Sequence, residues 1–248
     1  MSDRPLIDVY STFARDMLIQ KNTGTRQEQP GGPGLFIQNV FTRAGVPFVM
    51  HTGPMVDVEI LMTDEGEFGN VKPTRAPEHV PACETGYALV STLFQEWNPE
   101  ALAALGAELY VDVQGFVRMP GSFGTKCLWT GLVGSWTERI SILKATEQEL
   151  GYLPVAFVEE QKERILVVTK GKNGVSLYVK GESFDFLPSR VVETEHAIGA
   201  GDTFFAALVV DFVRGVPIPL AVQNGMAMVV EFLESVKSLP IDLGGEWK

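Results

Sequence analysis

Residues 197–208 read Ala-Ile-Gly-Ala-Gly-Asp-Thr-Phe-Phe-Ala-Ala-Leu, two glycines one residue apart and an aspartate running straight into an apolar stretch of helical length. Gly199 and Gly201 carry no Cβ, so the backbone can turn tightly and present bare N–H groups to a ligand at the mouth of the helix. Such a mouth attracts anions. Asp202, in the first turn beside it, is favoured as a carboxylate by the helix dipole and could take a proton from a hydroxyl held next to a phosphate. Phosphoryl transfer asks for this arrangement.

The 248 residues, 45% of them hydrophobic, suffice for one large α/β domain over 1–248 with a sizeable core. The formal net charge of −11 argues against a nucleic-acid-binding surface, which draws its affinity from clustered Lys and Arg. The first residues lack a basic-then-apolar export signal, and the long apolar stretch Phe204 to Val213 is broken by Asp211, so neither export nor a membrane span is expected. Cys83 and Cys127 show no Cys-x-x-Cys spacing, and His51, His79 and His196 are scattered. A zinc site and a disulfide framework are both unsupported, and a cytoplasmic location is the expectation.

Short apolar runs at 6–10, 48–52, 87–91, 109–113, 140–143 and 165–169, separated by helical or loop segments, predict a mainly parallel sheet. Residues 11–16 read as the exit loop of the first strand, and 21–34 as a polar, glycine-rich loop leading into a helix over 35–44. Residues 56–63 and 68–72 flank a turn signal and predict a hairpin that could act as a lid; 175–179 and 183–187 predict a second hairpin. Two helices, over 201–214 and 219–235, close the chain, with Gly215 and Pro217 at the break.

Four further segments carry chemistry. Thr169-Lys-Gly-Lys-Asn-Gly174 follows a strand and can bend around a phosphate while offering a hydroxyl and a lysine; it also reads as a plain hairpin turn. Pro30-Gly-Gly-Pro-Gly34 precedes a helix. Thr146-Glu-Gln-Glu149 is a capping-box sequence with a carboxylate at its third helical position. Asp112-Val-Gln-Gly-Phe-Val-Arg118 follows a strand and brings a carboxylate, an amide and a guanidinium to its end.

Together these segments resemble the ribokinase-like carbohydrate kinases, the PfkB family, over nearly the whole chain, most specifically in the C-terminal third. The resemblance implies a three-layer α/β/α ribokinase-like fold with a mostly parallel central sheet and a small β lid built from segments around 21–29 and 56–72. It implies an ATP-dependent kinase acting on a hydroxyl of a sugar or polyol. Gly199, Ala200 and Gly201 would supply the anion-hole amides, Asp202 the catalytic base, Thr169, Gly171 and Gly174 the ATP site, Asp16, Gly31 and Gly32 substrate contacts, and Glu149 the Mg2+ water shell. The stretch 112–118 resembles inositol-kinase-like members, making Gln114 and Arg118 substrate candidates. A homodimer through the lid is an expectation of the same kind.

The chain departs from the family pattern in three places. His196-Ala197 stand where cation-activated members carry Asp-Thr, so potassium activation is not expected. Thr146 replaces an asparagine, and material is missing between Thr52 and Val56. A nucleoside kinase of the same fold, with an aromatic or apolar base pocket beside Asp16 that Phe13 and Phe36 could furnish, and a non-catalytic sugar or nucleotide sensor, are the alternatives; the retained Asp202 counts against the sensor.

Overall fold

A computed structural model describes residues 7–64, 66–71, 77, 79–118, 128–129, 134–194 and 197–238. The expected sites of Glu65, Lys72, Cys127 and His196 fall outside these.

The chain opens on β1 (Ile7–Ser11), buried over its whole length as a strand covered on both faces must be. An antiparallel pair follows, β2 (Ala14–Gln20) and β3 (Arg26–Gly31), then α1 (Pro33–Ala44) and β4 (Phe48–Thr52). β5 (Val56–Thr63) and β6 (Gly66–Val71) form the predicted hairpin. After them come β7 (Tyr87–Ser91), α2 (Pro99–Ala103), β8 (Glu108–Asp112), α3 (Gln114–Val117), β9 (Ile140–Thr146), α4 (Glu147–Leu150), α5 (Val155–Glu163) and β10 (Ile165–Thr169). The hairpin β11 (Val175–Val179) and β12 (Glu182–Phe186) and the helices α6 (Ala200–Val213) and α7 (Ile218–Ser238) complete the described part.

The main sheet has the order β12-β11-β10-β9-β8-β7-β1-β4. From β10 to β4 its neighbours run parallel, and the β10-β11-β12 edge is antiparallel. Strand alternation gives it two apolar faces. Ile7, Val9, Leu89, Tyr110 and Val167 pack with α1, α6 and α7; Ala88, Val90, Leu109, Val111, Leu166 and Val168 pack with Leu102 of α2, Phe116 of α3 and Phe157 of α5. The result is the expected three-layer α/β/α architecture. The chain order reverses between β1 and β7, and a crevice opens at the carboxyl ends of strands at such a reversal.

A second sheet, ordered β3-β2-β5-β6, stands beside that crevice. Two sequence expectations are corrected here. The segment 11–16 is not simply an exit loop, because Ala14, Arg15 and Asp16 begin β2, and the polar stretch 21–34 contains β3. Their pattern is weak because only one face of this small sheet is covered: Ala14, Leu18, Val56, Val58, Ile60 and Met62 are buried against Leu93, with Phe94 and Ile198 alongside. β3 carries Arg26, Gln27, Glu28, Gln29 and Pro30, with no apolar run to mark it.

Candidate active site

The glycine motif opens α6 at the crevice. Gly199 is the helix N-cap with φ 84°, and a Cβ there would lie 2.2 Å from the ring of Phe36. Only glycine accepts both the left-handed backbone and the approach of that ring. The Ala200 N–H already donates to Ala197 O at 3.0 Å. The N–H groups of Gly201 and Asp202 follow in the first turn, where no helical carbonyl lies four residues back, and so face the mouth for an anion.

Asp202 is partly exposed at this mouth. Its Oδ1 accepts from Gln114 Nε2 at 2.9 Å and from Ser91 Oγ at 3.4 Å. Burial pushes its carboxyl above the ordinary aspartate range, against the pull of Lys144, Arg118, Gln114 and Ser91. A raised carboxylate with one oxygen held and the helix dipole behind it can receive a proton from a hydroxyl set before it.

Asp16, on β2, is 3% exposed. Burial and the nearby Asp202 raise its carboxyl to about 6. A Cβ on Gly31 would fall 1.9 Å from Asp16 Oδ2, so this carboxylate lies directly over the glycine backbone. Gly32, the N-cap of α1, places the Gly34 N–H on Thr12 O at 2.9 Å and pins the helix start to the loop after β1. Asp16, Gly31 and Asp202 thus meet at one end of the crevice.

At the other end a cleft of about 400 Å³ lies behind Gly201, lined by Thr146, Thr169, Gly171, Lys172 and Gly174 on the sheet side and by Phe204, Met226, Val229 and Leu233 from α6 and α7. Val175 and Val191 add to its apolar wall. The 169–174 segment is a tight turn, with Lys170 N–H on Gly174 O at 2.8 Å, so the hairpin reading of this stretch also holds.

The chain is similar to known kinases. Its residues 136–236 match the model of the pfkB family carbohydrate kinases. Inositol 3-kinase of Arabidopsis thaliana is 25% identical over 255 aligned positions, covering 88% of this chain and 70% of that one. The C-terminal part of this chain is thus similar to the pfkB carbohydrate kinases. Among solved structures, a pyrophosphate-dependent kinase of the ribokinase family, complexed with a pyrophosphate analog and myo-inositol, superposes with a TM-score of 0.67 at 17% identity, over 94% of this chain and all of that one. Arabidopsis thaliana ribokinase complexed with ribose and ATP gives 0.66 at 16% identity, over 92% of each chain.

The candidate residues read from the sequence separate into groups in the folded chain. Asp16, Gly31, Gly199, Gly201, Gln114 and Asp202 converge, and Thr169, Gly171 and Gly174 line the adjoining cleft. Arg118 caps α3 half-buried, its charge acting on both Glu149 and Asp202. Gln114, read from the sequence as a substrate contact, spends its amide on Asp202 and Ser91. Phe36, weighed as part of a base pocket, instead packs under Gly199 and edge-on to Phe232.

Glu149 forms the capping box in full: Thr146 N–H donates to Oε2 at 2.8 Å and Glu149 N–H to Thr146 Oγ1 at 3.1 Å. Burial works to raise its carboxyl, but Lys144, Arg118 and the Thr146 bonds hold it below the usual range, so it stays ionised. Among the described residues there is no cluster of three metal-ligating side chains. Glu149, with one oxygen taken by the capping box, is the carboxylate at this end that could hold a hydrated hard cation.

Of three polar residues at the strand ends, Ser91 and Lys144 were not singled out from the sequence, and Asp112 was read only as a carboxylate closing its strand. Ser91 closes β7 and bonds to Gln114 and Asp202. Asp112 closes β8, accepts Gln114 N–H at 3.1 Å and pairs with Lys144 at 2.8 Å. Lys144 is the charged residue inside the strand Ile-Ser-Ile-Leu-Lys-Ala-Thr, and that break was the available signal.

Proposed function

We propose that this chain transfers the γ-phosphoryl group of ATP to a hydroxyl of a ring polyol of the inositol class. The observation that carries the reading is the placing of Asp202 between the buried Asp16 carboxylate and the cleft behind Gly201. Asp16 would accept hydrogen bonds from two neighbouring hydroxyls of the substrate, and the Gly31 and Gly32 backbone would lie against its ring. Asp202 would take the proton from the attacking hydroxyl. The Gly201 and Asp202 amides would offset charge building on the transferred group, the largest contribution a preorganised site can make.

ATP is favoured over pyrophosphate as donor because the cleft carries an apolar wall, Val175, Phe204, Met226 and Val229, that pyrophosphate cannot use and an adenosine can. Magnesium, held through water by Glu149, would neutralise the donor phosphates. Asp-x-Gln-Gly-Phe-Val-Arg and the similarity to inositol 3-kinase support the polyol over a nucleoside, and the commitment of Phe36 to the mouth leaves one aromatic fewer for a base. The proposed setting is the cytoplasm, where ATP is abundant, and the proposed assembly is a dimer through the outer face of the four-stranded sheet. A thermal-shift screen of inositols, sugars and nucleosides with a non-hydrolysable ATP analogue, followed by ADP release, tests this reading. An inositol should give the largest shift and turn over. A nucleoside doing so overturns the substrate class, and binding without turnover on any of them overturns the enzyme.

A further inference from the structure

We infer that Lys144 is a catalytic residue, its ammonium touching the phosphoryl group in transfer; this rests on the phosphotransferase reading above. Leu143 and Ala145, its neighbours on β9, are buried on the α2, α3 and α5 face of the sheet. Alternation therefore sends Lys144 to the opposite face, where α6 begins. It is 3% exposed, yet it lines the donor cleft. A Cβ on Gly201 would come 3.2 Å from its Nζ, so the ammonium and the Gly201 N–H border the same small volume.

The hydrogen bonding leaves the ammonium with capacity. Among the described residues its acceptor is Asp112 Oδ2, at 2.8 Å, and Asp112 Oδ1 is taken up by the Gln114 N–H. One bond uses one of three ammonium protons. Burial opposes the charge, but Asp112, Glu149 and Asp202 outweigh it and keep the lysine protonated. A purely structural pair would be satisfied by any buried position. This one stands at the mouth of the helix, where a phosphoryl group passing the Asp202 carboxylate needs positive charge beside it.

In the step itself the bond from the ADP oxygen to the γ-phosphorus breaks and the bond from the substrate oxygen forms. The hydroxyl proton goes to Asp202. Lys144 keeps its proton throughout and supplies charge and hydrogen bonds to the equatorial oxygens. ADP leaves with the electron pair of the broken bond.

Removing the lysine alone would strand the buried Asp112 charge and destabilise the chain, so the test uses Lys144→Met/Asp112→Asn, which removes both charges, beside Asp112→Asn, in which the single amide oxygen serves one of the two donors and Glu149 and Asp202 remain to offset the ammonium; thermal melts confirm that both variants fold. Turnover is measured with an inositol and ATP, and affinity by calorimetry for ATP, pyrophosphate and adenosine. The double variant should fold, lose about 100- to 1,000-fold in turnover, and lose affinity for ATP or pyrophosphate but not for adenosine. Asp112→Asn should retain at least tenfold more turnover than the double variant. Equal impairment of the two variants, or a double variant within tenfold of wild type, overturns the role of Lys144. A wild-type chain that turns over pyrophosphate but not ATP overturns the donor reading alone, and the same comparison is then read with pyrophosphate.

Discussion

Gln114 Nε2 donates to Asp202 Oδ1 at 2.9 Å, joining the start of α3 to the first turn of α6 across 88 residues of sequence. The same amide nitrogen reaches Ser91 Oγ at 3.3 Å. One carboxylate oxygen of the candidate base is thereby fixed, and the orientation of the other is set by the sheet rather than by the helix alone.

Asp202→Asn removes the proton acceptor while keeping size, shape and the oxygen that Gln114 holds. Turnover should fall by about 100- to 10,000-fold with little change in ATP affinity, because the donor meets backbone groups the change does not touch. Steady-state kinetics with a nucleotide titration check this; more than about a tenth of wild-type turnover would remove Asp202 from the role of base.

Asp16 titrates near 6 in the folded chain against 3.8 for an ordinary aspartate. Between those values the folded state holds a proton that the unfolded state has released, so stability falls as pH rises through the window. Asp16→Asn should therefore raise the melting temperature at pH 7 to 8, by an amount equivalent to at most roughly 3 kcal/mol, and the gain should vanish below about pH 4. The same variant should raise the substrate KM about tenfold or more, since a charged hydrogen-bond acceptor is lost. A melting series from pH 3 to 8 with polyol kinetics separates the two effects; a gain that persists at pH 3 would sink the titration argument.

Gly199→Ala forces a side chain into a left-handed backbone and against the ring of Phe36. A loss of about 1 to 3 kcal/mol is expected from the backbone alone, with more from the ring. Denaturant melts should show this, and ATP affinity should drop with it as the mouth distorts. Stability unchanged from wild type would mean the turn is not required.

The four-stranded sheet touches the mouth directly: Ala197 N–H donates to Glu67 of β6 at 3.1 Å, and Ile198 packs against its apolar face. If this sheet closes over substrate, backbone amides of β5 and β6 should exchange more slowly with an inositol bound, because closure excludes water from the transfer. Hydrogen-exchange mass spectrometry with and without ligand reads this, and identical exchange across 56–71 argues against a lid.

Sequence alone carried the main sheet and the glycine mouth, because both are written locally. Tyr87–Ser91, Ile165–Thr169 and Val175–Val179 match their apolar runs residue for residue, since buried strands must be apolar over their whole length or in alternation. The start of α6 was legible because Gly-Ala-Gly-Asp states its backbone needs in four letters. The strands Ala14–Gln20 and Arg26–Gly31 were not, because a small sheet covered on one face spends few apolar residues and its pairing is supplied by β5, far along the chain. The polar network was decided by the tertiary structure alone. Ser91, Asp112, Gln114, Lys144 and Asp202 sit on five different elements, and nothing in their own segments says that they meet. Only folding brings the strand ends together, and there a lysine that local pattern marks as a flaw in a strand finds the carboxylate that keeps it charged at the mouth of the helix.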